Sequence, residues 1–284
     1  MIVARYPVRM PPVPFLTLNN GVQIPQVGFG VFLIPEQETK AAVTTAIECG
    51  YRHIDTAKVY GNESAVGDAV AESDLDRSEF FVTTKCWNSD QGFDSARRAF
   101  DASMDRLGLE YLDLYLIHWP VPSRDLYVDT WRAFQEIYAE GRVRAIGVSN
   151  FQPAHLSRLF DETEIVPAIN QIELHPWLQQ SELRAFHREH GIVTEAWSPL
   201  ATGGDFLANP VIGTIAKKHD ISPAQVILRW HLDLGNVVIP KSVNRDRMAS
   251  NLDLFHVNLD DEDAAQIADL NADHRVGDDP DTLS

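Results

Sequence analysis

The chain has 284 residues, 44% of them hydrophobic, and a formal net charge of −17. So acidic a protein is poorly suited to nucleic acid or to an anionic membrane surface, and no run of about 18 apolar residues offers a membrane span. Its two cysteines, Cys49 and Cys86, make neither a CxxC motif nor a disulfide framework, which points to a reducing, cytoplasmic setting.

Residues 1–14 contain Pro7, Pro11, Pro12 and Pro14 and lack the continuous apolar stretch of a signal peptide. They read as a flexible lead-in to one domain over residues 15–284. From Phe15, two short apolar runs flank Asn20-Gly21, a strong hairpin signal. Strand-like segments then follow in order: "QVGFG", "HIDT", "FFVTTK", "DLYLIH", "AIGVSN", "AINQIE", "VTEAW" and "VVIP". Amphipathic stretches such as "EQETKAAVTTAIECG" and "SPAQVILRWHLDLG" lie between them, several stopping at Gly50, Gly108, Gly141, Gly191 and Gly235.

Strand then helix, repeated about eight times, predicts a parallel sheet with crossover helices. An open, dinucleotide-binding sheet should carry G-x-G-x-x-G in its first strand-helix turn. Here "VGFGVFLIP" supplies only Gly28 and Gly30 before a proline. Eight strands in roughly 250 residues fit the closed form. The expected fold is α/β, a (β/α)8 TIM barrel with a short N-terminal β-hairpin.

Sites in such barrels lie at the C-terminal strand ends. The second barrel strand ends in Asp55 and its loop carries Tyr60, the third ends in Lys85, and the fourth ends in His118. Taken singly, each has a plainer reading as a cap, a solvated rim residue or a packed core residue. Their recurrence at equivalent places in consecutive units is what makes them a candidate site. A phenol that donates a proton needs its pKa of about 10 brought down, which a nearby ammonium does, and a carboxylate holds that ammonium in place. A neutral histidine can orient a carbonyl. No metal-ligand spacing accompanies them, since "HREH" sets His187 and His190 three apart with nothing converging, and there is no G-x-S-x-G elbow.

The motifs "GYRHIDTAKVYGNE", "TTKCW", "DLYLIHWP", "GVSNF", "NQIELHPW" and "IPKSVNRDRMASN" occur in this order, and with them the chain resembles the aldo-keto reductases from about Phe15 to its tail. It is most similar to the bacterial 2,5-diketo-D-gluconate reductase branch. The resemblance implies a catalytic tetrad of Asp55, Tyr60, Lys85 and His118, with Tyr60 protonating a carbonyl oxygen that receives a hydride from NADPH. It implies nicotinamide contacts at Ser149, Asn150 and Gln171, stacking by Trp197, and further cofactor contacts at Ser198, Leu200, Val243 and Asn244. Lys241, Ser242 and Arg247 match residues that read the adenosine 2′-phosphate, and Asn251 matches one at the adenine, so NADPH is expected over NADH. A basic cluster at "PKSVNRDR" in so acidic a chain suits a phosphate independently of that match.

Candidate substrate walls are Phe32, Trp87 and Trp119, with His118 on the substrate side as well. The short loop "WPVPSRDLYVDTW" suggests an open pocket for small aldehydes and dicarbonyls. By resemblance the C-terminal tail also shapes specificity. The partner expected is a small carbonyl compound, with no nucleic acid and no membrane, acting on a monomer. The competing reading is an NADPH-binding redox sensor or regulatory subunit with little turnover.

Overall fold

The computed structural model describes residues 13–283. Residues 1–12, most of the expected lead-in, lie outside them. Strands β1 (Phe15–Thr17) and β2 (Gln23–Pro25) form the expected antiparallel hairpin, with Leu16 opposite Ile24. The Asn20 amide donates to the Arg144 carbonyl at 2.9 Å, and the Asn19 amide donates to the Pro167 carbonyl at 3.2 Å. The hairpin is thereby fastened beneath the barrel.

The barrel strands are β3 (Phe29–Gly30), β4 (His53–Asp55), β5 (Phe81–Cys86), β6 (Leu112–Ile117), β7 (Val143–Ser149), β8 (Ile169–Glu173), β9 (Val193–Trp197) and β10 (Val237–Val238). They neighbour one another in chain order and run parallel. The ring closes where Val27 bridges Val238, with Gly28 N donating to Val238 O at 2.8 Å and Val238 N to Gln26 O at 3.0 Å. Helices α1 (Glu36–Cys49), α2 (Glu63–Ala71), α3 (Phe93–Leu107), α4 (Tyr127–Ala139), α5 (Pro153–Glu162) and α6 (Ser181–Glu189) connect successive strands from β3 to β9. Two helices, α7 (Pro210–His219) and α8 (Pro223–Asp233), lie between β9 and β10, and α9 (Arg245–Leu252) and α10 (Asp261–Ala268) follow. All five glycines expected to stop helices have positive φ, from 63° at Gly108 to 111° at Gly50. Among the described residues, no helix is long and apolar enough to cross a membrane.

Two apolar clusters show which way each strand residue points. Leu18 and Ile24 of the hairpin region pack with Phe81, Leu114, Leu116, Ala145, Ile169 and Val237, filling the lower barrel interior. Ile54, Val82, Tyr115, Ile117, Val148, Ile172 and Ala196 join the larger cluster shared with the helices. Side chains alternate faces along a strand. Moving up two residues from each interior apolar position therefore aims Thr83 and Lys85, His118, Gly147 and Ser149, and Gln171 and Glu173 inward. The same alternation aims His53 and Asp55 of β4, and Glu195 and Trp197 of β9, into the barrel. Gly28 is required by this packing, because a Cβ there would lie 2.5 Å from His53 Nδ1. The barrel interior is thus apolar at the hairpin end and polar toward the mouth.

Candidate active site

Asp55, Lys85 and His118 meet because β4, β5 and β6 are adjacent and each has an inward position within one residue of its C-terminal end. Lys85 Nζ donates to Asp55 Oδ1 at 2.7 Å and to the Thr56 carbonyl at 2.9 Å. Both members of this ion pair are enclosed, Lys85 at 0% and Asp55 at 2% exposure. Burial disfavours the ammonium, but the Asp55 carboxylate, helped by Tyr60 and Glu195, outweighs it and raises the lysine above 10.5.

Tyr60 closes a short 3-10 turn over Lys58–Tyr60, which Lys58 ties down through an ion pair with Asp90. The phenol ring lies 5.1 Å from Lys85 Nζ and 5.8 Å, edge-on, from the His118 imidazole. Burial raises the phenol above 10.0, and Lys85 pulls against that without overcoming it. The expectation of a net-lowered tyrosine is therefore corrected: the lysine acts in the expected sense, and desolvation exceeds it. The phenol stays protonated and available to donate. Burial, with Lys85 adding to it, pushes His118 well below 6.5, so its ring is neutral. Its Nδ1 has no hydrogen-bond partner among the described residues.

The expected cofactor residues occupy two places. At the mouth, Ser149 Oγ donates to the Gln171 carbonyl at 2.8 Å, Asn150 Nδ2 to the His118 carbonyl at 3.0 Å, and Trp197 Nε1 to Asn150 Oδ1 at 2.8 Å. Asn150 and Ser198 turn the chain away from β7 and β9 with φ of 66° and 46°. Left-handed backbone at a non-glycine residue costs about 1 kcal/mol and clusters at functional sites. Leu200 packs onto the core. Gln171 is not directed solely at the mouth, since its Nε2 donates to Asp55 Oδ2 and to Glu195 Oε2, each at 2.9 Å.

The second place is the start of α9. Asn244 caps the helix by accepting from Arg247 N at 3.0 Å, and Ser242 Oγ accepts from Asn244 N at 3.1 Å. Arg245 pairs with Glu48 of α1. Lys241, Val243 and Arg247 are exposed, Ser242 and Asn251 are buried, and neither Lys241 nor Arg247 makes an ion pair among the described residues. Free cations and a serine hydroxyl at a helix N-terminus are the donor set a phosphate monoester needs.

Of the expected substrate walls, Phe32 is 54% exposed and lies 5.0 Å from the Tyr60 ring. Trp87 meets His118 edge-on at 5.1 Å. Trp119 is buried between His118 and Trp197, at 6.5 and 6.4 Å.

Two carboxylates not singled out from sequence also face this space. Glu195, at 0% exposure, joins Asp55 through Gln171. Glu173 accepts from the backbone N–H groups of Val276 at 2.6 Å and Gly277 at 2.9 Å, and it also meets His175 Nε2 at 3.0 Å and the Arg275 guanidinium at 3.9 Å. These bonds hold its carboxyl below 4.5 although burial opposes them. The tail is thereby brought against Trp197, where a Cβ on Gly277 would come within 2.5 Å of the indole. An acid inside a strand of the barrel is the one signal that could have flagged either residue.

Comparison with known proteins agrees with this geometry. The Aldo/keto reductase family profile matches residues 27–272. An aldo-keto reductase of Mycolicibacterium smegmatis is 56% identical over 271 residues, covering 95% of this chain and 98% of that protein. The glyoxal reductase of Bacillus subtilis is 51% identical over 267 residues, covering 94% and 96%. A point mutant of Gox0644 solved in complex with NADPH superposes with a TM-score of 0.92 at 46% identity, covering 96% of this chain and all of that one. The chain belongs to the aldo/keto reductase family and is an NADP-dependent oxidoreductase.

Proposed function

We propose that the protein reduces small aldehydes, ketones or dicarbonyls to alcohols, with Tyr60 as the proton donor. The observation that carries this is the enclosed Lys85–Asp55 pair, with its Nζ 5.1 Å from the Tyr60 ring, beside a neutral His118. Bound NADPH would supply the hydride to the carbonyl carbon. The phenol gives its proton to the carbonyl oxygen, and the ammonium lowers the cost of the phenolate left behind. The neutral imidazole donates a hydrogen bond to that oxygen and orients it without competing as an acid. Phe32 and Trp87 wall the open side of the pocket, and Trp119 continues the wall between His118 and Trp197.

For the cofactor, Trp197 offers a flat face at the mouth, and Ser149, Asn150 and Gln171 offer amide and hydroxyl partners for a carboxamide. Lys241, Ser242 and Arg247 would hold the 2′-phosphate, with Val243 and Asn244 completing the loop and Asn251 at the adenine. Ser198 and Leu200, in the loop after β9, would add further cofactor contacts. Dicarbonyls are favoured as substrates by the likeness to a protein named glyoxal reductase and by the short loop after β6.

The test is absorbance-monitored NADPH oxidation with methylglyoxal and related dicarbonyls, wild type against Tyr60→Phe. Turnover that collapses in the variant while NADPH binding persists supports the proposal. Tight NADPH binding with no turnover of any carbonyl by the wild type would favour a sensor instead.

A further inference from the structure

Beneath the Lys85–Asp55 pair lies a carboxyl with an incomplete set of partners. Glu195 projects inward from β9 and is fully enclosed. Its Oε2 accepts from Gln171 Nε2 at 2.9 Å, and the same amide nitrogen donates to Asp55 Oδ2 at 2.9 Å. One amide therefore ties the two carboxyls together. Its Oε1 has no hydrogen-bond partner among the described residues and faces His53 Nε2 at 3.6 Å, beyond hydrogen-bond reach.

The titratable groups facing Glu195 are His53 and Asp55 of β4, Lys85 of β5 and Tyr60 above them; its neighbours Gln171 on β8 and Val237 on β10 do not titrate. The only cation among them, Lys85, is already paired with Asp55. Burial drives His53 down to about 3, so it is neutral and supplies no counter-charge. A carboxylate with one unpartnered oxygen and no counter-ion of its own is expensive in an enclosed site. A protonated carboxyl removes that charge. Burial and the nearby Asp55 push Glu195 up to about 8.

We propose that Glu195 is a positioning residue for the tetrad: it carries a proton in the resting enzyme, anchors Asp55 through Gln171, and on losing that proton weakens Tyr60 as an acid. The inference rests on the reading of Tyr60 as proton donor. A second negative charge in the interior opposes formation of a phenolate on Tyr60, in the same sense as Asp55 does. Ionising Glu195 above about pH 8 therefore slows proton donation. No covalent change at Glu195 is involved; a single proton leaves its Oε1 for solvent as the pH rises.

The test uses infrared spectroscopy and steady-state kinetics on the full chain. Wild type is expected to show the carbonyl stretch of a protonated carboxyl at neutral pH, fading as the pH passes about 8. Glu195→Gln keeps an acceptor for Gln171 and should lack that band. Its alkaline limb of kcat should move up by about one pH unit, with NADPH binding unchanged. Glu195→Met serves as a second non-ionising variant if the first folds poorly. A wild type without the band at neutral pH would overturn the inference whatever the variants do. Superimposable pH profiles for wild type and Glu195→Gln would overturn the coupling to Tyr60. Tyr60→Phe with full turnover would instead overturn the acid reading, and with it that coupling, while the infrared titration still decides the proton on Glu195.

Discussion

The barrel mouth and the start of α9 both gather charge, and they do so in opposite ways. Around Asp55 and Lys85 the charges are enclosed and held by short hydrogen bonds. At α9, Lys241 and Arg247 stand in solvent with no ion-pair partner among the described residues. In the enclosed region a single charge strongly perturbs its neighbours, because little solvent screens it. In the exposed region screening is strong, and selectivity has to come from hydrogen-bond geometry to a multiply charged ligand. The first arrangement suits proton chemistry and the second suits recognition of a phosphate.

The sharpest way to break that comparison is at the phenol. Tyr60→Phe should lower kcat by on the order of 10²- to 10⁴-fold, the usual worth of a positioned acid, and leave NADPH affinity within about twofold. Steady-state kinetics beside fluorescence titration of NADPH would check both. If kcat were unaffected, the enclosed region would have no claim to the proton step.

Lys85→Met attacks the same region through stability. It leaves Asp55 enclosed without its cation, a change that typically costs about 3–5 kcal/mol, visible as a lower midpoint in urea. Acid should act on the interior as well. His53, His187 and His231 are each held down to about 3 by burial. Below 6.5 the unfolded chain takes up protons that these folded histidines refuse, so stability present above 6.5 is lost progressively as the pH falls toward 3. Denaturant midpoints measured across that range should fall with acid, and a flat dependence would contradict buried neutral histidines.

At the exposed region the expected effects are smaller and selective. If Arg247 holds the 2′-phosphate as proposed, Arg247→Ala removes a charge-assisted contact worth about 1.5–3 kcal/mol, so the Kd for NADPH should rise by about tenfold or more while that for NADH barely moves. Equal losses for both cofactors would remove Arg247 from the 2′-phosphate.

How much of this was legible in the sequence follows from how local each signal is. Asp55, Lys85 and His118 could be found because strand alternation and the strand-end rule need only a few neighbouring residues. The hairpin at Asn20-Gly21 and the helix-stopping glycines are equally local. The second role of Gln171 was not legible, because its bonds to Asp55 and Glu195 depend on the register of β8 against β9 and on closure of the barrel. Nor could the sign of the Tyr60 shift be read, since lysine and desolvation oppose one another and only the folded site sets their balance. The contact of Glu173 with Val276 spans 103 positions and leaves no trace in either segment.

That last contact supplies the mildest test, and it lies between the two regions. Glu173 is enclosed, as Asp55 is, yet it holds half-buried Val276 and exposed Gly277 of the tail, with Gly277 against the Trp197 indole. His155 and Asp281 approach to 3.5 Å, and the Trp177 carbonyl accepts from His274 N at 3.0 Å, so the tail has further attachments that Glu173 does not supply. Glu173→Gln should weaken the two backbone bonds without freeing the whole segment, changing KM for a carbonyl substrate by about two- to fivefold, as expected for a loss of about 0.5–1 kcal/mol. Ending the chain after Asp273 should change KM further, because Trp197 would lose the packing of Gly277 as well. If both variants kept the KM of the wild type for every carbonyl tried, the tail would be a structural cover over Trp197 with no part in the pocket.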